Sequence, residues 1–569
     1  MACNVPVREA PFPFLRAEIS HTIDKRGTRL REDEEPPLNV DQIQGNILAG
    51  FNKDSQVLLF LKIDDPRQFK RWLQTVVPFI ATTEEVLQFN RLFKAIRSRR
   101  GVEARTVMAT WLNIAFSFEG LKKLDPQQTE LFTDEAFRQG LAKRSLLLND
   151  PHDKKDEGFQ KNWVIGGEGN EPDLVFIVAS DSPHDLALAV VNLESSINAG
   201  ANVNGALIRS GASVIFEQSG ATLPDPLRGH EHFGFLDGVS QPGIKGTAGK
   251  GGELITPKQN PTDPTQGKPG RDRLWPGEFV FGYPGQDSKN AEKKGVHVRE
   301  GPSWSHNGSF LVFRRLRQDV GAFHAFLKQQ GDGLSLGPEL FGAKCVGRWA
   351  SGAPIERAPD TDNPAMSRDD CANNAFGFQQ PTNPKPPTKP GQCKDNFPGS
   401  LAKADLVGAI CPFAGHIRKA YPRDDVSSSN SKQHVPNEAN TETHRLLRRG
   451  VPFGTPFDPT VIPDDGNRGL LFLAYQTSIV DQFEFVIRNF VNNPDFKDPG
   501  SGHDPILGQS NENHRRDRFF KVRLKNGVEQ SIRLEKDFVI PTGGGYYFAP
   551  SIDALRQLSE VIPPSRKAK

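Results

Sequence analysis

Val57-Leu-Leu-Phe-Leu-Lys-Ile63, followed at once by Pro66-Arg-Gln-Phe-Lys-Arg-Trp-Leu73, is the stretch from which the fold is read. The first run is apolar and short, as a buried strand is. In the second, Phe69, Trp72 and Leu73 recur at i, i+3 and i+4, the spacing of one helix face. Asn46-Ile-Leu-Ala-Gly-Phe51 precedes them as another strand-like run. The same order returns later: Glu278-Phe-Val-Phe-Gly-Tyr283, then Ser309-Phe-Leu-Val-Phe-Arg314, then a helical Val320-Gly-Ala-Phe-His-Ala-Phe-Leu327. Both copies predict strand, strand, helix.

Two more strand-plus-helix units fill the first half, Val107 to Leu124 and Leu174–Val178 running into Pro183–Leu193. A last strand, Ala212-Ser-Val-Ile-Phe216, closes it, and the second half adds Gly469–Tyr475 leading into a helix over Ile479–Phe490. No glycine-rich nucleotide fingerprint follows the first strand. Closely spaced strand pairs before each helix suit antiparallel α+β sheets. The expected architecture is two ferredoxin-like domains, with antiparallel sheets flanked by helices. Residues 1–38 form an N-terminal arm, 39–240 the first domain and 241–569 the second. Loop insertions at 245–273 and 358–401 are rich in Gly, Pro and polar residues, which cannot build central strands or helix interiors.

Composition excludes several classes. The chain has 569 residues, of which 36% are hydrophobic and 25% charged, with Lys+Arg 71 against Asp+Glu 69. That near balance lacks the basic footprint of a nucleic-acid binder. No apolar run approaches the ~20 residues of a membrane helix. Without a basic and then apolar leader the expected location is cytoplasmic, a processed secreted form remaining open. Five cysteines without a CxxC pair argue against a disulfide framework or a zinc site. One bridge between Cys371 and Cys393 in loop-rich sequence stays open.

Two segments carry chemistry. Cys411-Pro-Phe-Ala-Gly-His416-Ile-Arg-Lys-Ala-Tyr-Pro-Arg423 sets one of 13 histidines between an apolar and a basic run. Glu231-His-Phe-Gly-Phe-Leu-Asp237-Gly-Val-Ser-Gln-Pro-Gly243 places a carboxylate in a glycine-bracketed turn, where small residues admit a flat cofactor. Three further segments accompany them: His444-Arg-Leu-Leu-Arg448-Arg449-Gly-Val-Pro-Phe-Gly454, Arg468-Gly-Leu470-Leu-Phe472-Leu-Ala-Tyr-Gln476 and Gly502-His-Asp504-Pro-Ile-Leu-Gly-Gln509.

In this order the motifs resemble those of the dye-decolorising peroxidases, in particular their larger, fungal-like branch. The resemblance runs from about Asp41 to Ala549. It departs slightly at Gly415, where the family element reads CPFAAHIRK. It implies haem b held mainly by the second domain, with His416 as axial iron ligand and Asp504 as that histidine's carboxylate partner. His503, beside Asp504, lacks the apolar flank of a buried ligand and ranks far behind His416. Asp237 is implied as the acid–base toward peroxide, with an acidic optimum, and Arg448, with Arg449 as fallback, as the cation facing the developing charge. Leu470 and Phe472, on one face of a strand, would wall the pocket.

The implied activity uses hydrogen peroxide to oxidise bulky dyes and phenols by one-electron steps through high-valent iron. Tyr421, Tyr475 and Trp349 are candidate electron relays. A haem carrier or deferrochelatase-like protein would use His416 equally. Asp237 with Arg448 separates the two readings, since a carrier gains nothing from a distal acid and a fixed cation. Glu231 is free to join a metal site, though no spacing demands it.

Overall fold

The computed structural model describes residues 35–100, 107–256, 273–381, 394–425, 438–461, 466–511 and 516–561. Most of the expected N-terminal arm, much of both loop insertions, Cys3 and Cys393 lie outside the described residues.

The first half runs β1 (Ser55–Ile63), α1 (Pro66–Val76), β2 (Thr110–Phe116), β3 (Leu174–Ser180), α2 (Pro183–Ala199) and β4 (Ala212–Ala221). The second runs β5 (Ser309–Gln318), α3 (Val320–Gly333), the short helix α4 (His416–Ala420), β6 (Leu447–Arg448), β7 (Val451–Phe453), β8 (Gly469–Gln476) and β9 (Val539–Ala549). In space the strands stand in the order β6-β8-β5-β9-β2-β3-β1-β4, with β7 also on β8. All the pairings are antiparallel. Read from β2 and from β6/β7, each half has the same ferredoxin-like order, with its first strand flanked by its third and fourth.

The two sheets merge into one nine-stranded sheet. A single pair, Phe548 of β9 with Phe116 of β2, joins them. The far edges also meet. A Cβ at Gly220 in β4 would lie 2.7 Å from Cγ1 of Val451 and 2.9 Å from the Pro452 carbonyl oxygen in β7. Only a glycine permits that approach, and the sheet wraps toward a closed barrel.

Alternation along the strands sorts the core. Leu58, Phe60, Ile177, Leu311, Phe313 and Leu473 fill the interior, where the rings of Phe60 and Phe313 approach to 5.1 Å and weld the halves. Their neighbours Leu59, Phe176, Phe310 and Phe548 face outward under the helices. In β1 and β3 both faces are therefore apolar, which is why those strands read as unbroken runs. Helix α1 begins at Asp65, whose carboxylate accepts from the N–H groups of Arg67 and Gln68. It buries Phe69, Trp72, Leu73 and Val76, and Trp72 Nε1 donates to Ser196 Oγ at 2.6 Å. Truncating one such aromatic costs about 3–5 kcal/mol.

Two expected strands are not strands. Gly45–Leu48 is a turn of α-helix, and Pro276–Glu278 a 3₁₀ turn leading into irregular chain. Pro276 opens the 3₁₀ turn and Gly282 turns at φ +93°, so no ladder forms before the short strand that starts at Pro284, although Phe279, Val280 and Phe281 are buried. The repeated unit is thus turn, strand, helix. The helix expected over Ile479–Phe490 is present but widened to π-helical pitch over Ile479–Glu484 and Val486–Val491. Arg448 sits in the edge strand β6. Cys371 is disulfide-bonded, while Cys345 and Cys411 are free and buried.

Candidate active site

His416 opens helix α4. Its Nδ1 lies 2.7 Å from Oδ2 of Asp504, whose side chain is fully buried. The other oxygen, Oδ1, accepts from the N–H groups of Ile506 (2.7 Å) and Leu507 (3.0 Å). The Asp-Pro segment is a turn and an imidazole anchor at once, one carboxylate oxygen serving each role. Burial disfavours a charged His416, but Asp504 outweighs it and raises the histidine's pKa. With Nδ1 committed, Nε2 is the nitrogen left for the cavity that His416 lines. His503 points elsewhere, edge-on to Phe519, and burial drives its pKa down to about 4.

Asp237 stands in a turn that needs glycine at Gly234 (φ +95°) and Gly238 (φ +70°). Its Oδ1 accepts from Gly238 N–H at 2.6 Å and from Nη1 of Arg448 at 3.2 Å. Arg448 Nη2 donates to the Ser240 carbonyl at 3.0 Å. Burial pushes the Asp237 carboxyl up, but Arg448, the Gly238 N–H and His416 together hold it below the usual range. The two side chains are 37% and 33% exposed, and both line the same cavity.

Two residues of the Glu231–Gly243 segment organise this turn, a role the sequence reading did not give them. Gln241 receives the Arg448 N–H (3.2 Å) and donates to its carbonyl (3.1 Å), fixing the arginine's backbone. Glu231 accepts from the N–H groups of Phe233 (2.8 Å) and Phe235 (2.9 Å) and from Gln318. Burial nevertheless raises its pKa to about 7. Both stand in that motif, but nothing in its pattern marks their role. Arg449 is engaged elsewhere, its guanidinium binding the carbonyls of Asn46, Ile47 and Leu48 within 3.0 Å.

Asp237, His416, Arg448, Leu470 and Phe472 line one cavity of about 320 Å³ on the outer face of β8, with Asp504 behind the imidazole. The widened helix supplies Phe483, Val486, Ile487 and Phe490 as the rest of its apolar wall. A larger hollow of about 950 Å³ shares Glu231, Asp237, Gly238, Arg448 and Leu470 with it, opening a way to the Asp237 side. Arg348, Arg423, His444 and Arg445 also line the first cavity. The buried Nε2 of His444 has no hydrogen-bond partner among the described residues. An apolar slot with an imidazole and a cationic lining fits haem, which has a flat apolar ring and an anionic edge.

Among the expected relays, Tyr421 lines this cavity, donates its hydroxyl to Glu442 and lies under the Arg445 guanidinium at 3.8 Å. Tyr475 is buried in the barrel interior, and Trp349 is buried with its Nε1 on the Ala358 carbonyl at 2.7 Å. Among the described residues no group of three or more His, Cys, Asp or Glu side chains is placed to hold a metal ion.

Residues 42–210 match the DyP dimeric alpha+beta barrel domain, and 411–500 the C-terminal domain of Dyp-type peroxidases. The chain is 30% identical to the dye-decolorizing peroxidase msp1 of Mycetinis scorodonius over 92% of this chain and 88% of that one. With the peroxidase AauDyP1 of Auricularia auricula-judae it shares 31% identity over 91% and 86% of the two chains. A variant of the Pleurotus ostreatus dye-decolorizing peroxidase superposes with a TM-score of 0.71 at 30% identity, covering 92% of this chain and all of the other. The motif order, the paired ferredoxin-like halves and these likenesses converge: the chain belongs to the dye-decolorising peroxidase family and is a haem-dependent peroxidase.

Proposed function

We propose that this chain uses hydrogen peroxide to oxidise dyes and phenols, with His416, Asp504, Asp237, Arg448, Leu470 and Phe472 in the roles their geometry suits. Haem b, bound between His416 and Asp237, would supply the redox-active iron. His416 would hold that iron through Nε2, while Asp504 accepts the Nδ1 proton and keeps the imidazole electron-rich. Asp237 takes a proton from the inner oxygen of peroxide and returns it to the departing one. Its depressed pKa keeps it ionised, and so able to accept, in mildly acidic solution. Arg448 faces the charge that builds as the O–O bond parts. Leu470 and Phe472 keep bulk water off the reacting oxygens. Bulky reductants exceed the space beside Asp237 and give up electrons one at a time from outside.

The observation that carries this reading is one cavity whose lining unites a carboxylate-anchored imidazole with an ion-paired aspartate and arginine. A haem carrier needs only the imidazole. One equivalent of peroxide added to the haem-loaded protein should bleach and shift the Soret band within seconds. Asp237→Asn should slow that step about 10²–10⁴-fold, the usual worth of a general acid–base. Undiminished speed in the variant would strip Asp237 of its role.

A further inference from the structure

The helix that carries His416 is gripped on both flanks by buried cations. On one side Arg418, fully buried, binds Asp425 (2.7 Å), Asp405 (3.0 Å) and the Cys411 carbonyl (2.7 Å). That is an ordinary buried ion-pair network, in which every charge has a counter-charge. On the other side Lys419, also fully buried, donates its ammonium to main-chain carbonyls instead, those of Asn493 (2.5 Å) and Phe496.

Those carbonyls belong to the loop that delivers Asp504. Gly502 N–H returns to the Pro494 carbonyl at 2.8 Å, Ser501 Oγ donates to that of Phe496 at 3.0 Å, and Asp504 N–H donates to that of Val491 at 3.1 Å. Lys497 in the same loop reaches Asp425 at 2.6 Å, tying it back to the Arg418 network. A cation buried on neutral acceptors carries a desolvation penalty that a neutral donor would avoid. Burial does lower the Lys419 pKa to about 7, and the carboxylates of Asp504 and Asp495 oppose that shift. In acidic solution the ammonium is therefore charged.

We propose that Lys419 is a positioning residue that acts through Asp504: its buried positive charge sets how strongly that carboxylate draws on His416, and so sets the reduction potential of the bound iron. This rests on the reading of His416 and Asp504 as the axial pair. A cation near the carboxylate weakens its pull on the Nδ1 proton. The imidazole is then a poorer electron donor and ferrous iron is favoured. Removing the charge should favour ferric iron.

The test is spectroelectrochemical titration of the haem-loaded protein in acidic buffer. Lys419→Met should move the ferric-to-ferrous ratio at fixed potential about tenfold toward ferric, about 59 mV for one electron. Lys419→Gln, which still donates to carbonyls but carries no charge, should shift it in the same direction. If Lys419 merely satisfied the loop carbonyls, the glutamine variant would keep the parent potential, and that result overturns the proposal. The shift should shrink in an Asp504→Asn background, whereas an undiminished shift there means that the lysine does not act through the carboxylate. His416→Ala separates the two layers. If it kept the parent ferric spectrum, the axial reading itself would fall. If it lost that spectrum while neither lysine variant moved the potential, only the present inference would fall.

Discussion

The two faces of the cavity are built on opposite plans. On the His416 side the anchor is saturated: Asp504 is fully buried, its Oδ1 is taken by two peptide N–H groups and its Oδ2 by the imidazole. On the opposite side Asp237 and Arg448 hold one hydrogen bond between them and leave a third of each side chain open to the hollow. A group that must hold a ligand still gains from losing every freedom. A group that must give and take protons needs an unspent lone pair and a path to it. Each face should therefore fail differently when altered.

The largest effect should come from the saturated face. His416→Ala removes the carboxylate-anchored imidazole of the cavity, and haem content after reconstitution should collapse, measured as the Soret-to-protein absorbance ratio. On the open face Arg448→Leu should leave haem bound but slow the reaction with peroxide about 10²–10³-fold, the worth of one preorganised charge donor.

The same substitution should alter the pH profile. Arg448 is the largest of the influences that lower the Asp237 pKa. In the parent, the acid limb of reactivity should lie at that depressed value. In the variant the acid limb should move upward, toward the ordinary carboxylate range. A limb that stays in place would dissociate the two residues.

The smallest effect concerns Glu231, whose pKa is raised from 4.5 to about 7. A raised folded-state value means that its contribution to stability is complete below 4.5 and is lost as pH rises through about 7. Glu231→Gln cannot ionise and should flatten that alkaline decline by about 1–2 °C in Tm, the scale expected of one group in a chain this long. A steeper decline in the variant would mean that the charged form is the stabilising one.

Much of the fold was legible because it is local. Helix α1 is announced by Phe69, Trp72 and Leu73, and β1, β3, β5 and β8 by apolar runs, whereas β9, which holds Pro541 and Gly543 to Gly545, has no such run and was not expected. Glu278–Tyr283 misled because it is equally apolar, and a buried turn has the same composition as a buried strand. Gly282, which turns at φ +93°, was the residue that spoke against a strand. Strand parity held one more message: Leu470 and Phe472 share a face, so Tyr475 must lie on the other, inside the barrel and away from the cavity. Gln241, His444 and Lys419 stand inside the motif segments, but their roles could not be read there, because those roles come from partners far along the chain, such as Arg448, 207 positions from Gln241.

By itself the chain determined which chemistry is present: an imidazole, two carboxylates, a guanidinium and an apolar pair, each in a short segment whose residues shape their own turn or strand. Periodicity and turn residues act over a few positions, so those properties are written in the sequence. Only the tertiary structure decided that five of these groups line one hollow, that Arg448 rather than Arg449 meets Asp237, and that a buried lysine binds the loop that carries the histidine's anchor. Those choices follow from how a nine-stranded sheet closes on itself, and the packing that closes it joins residues hundreds of positions apart.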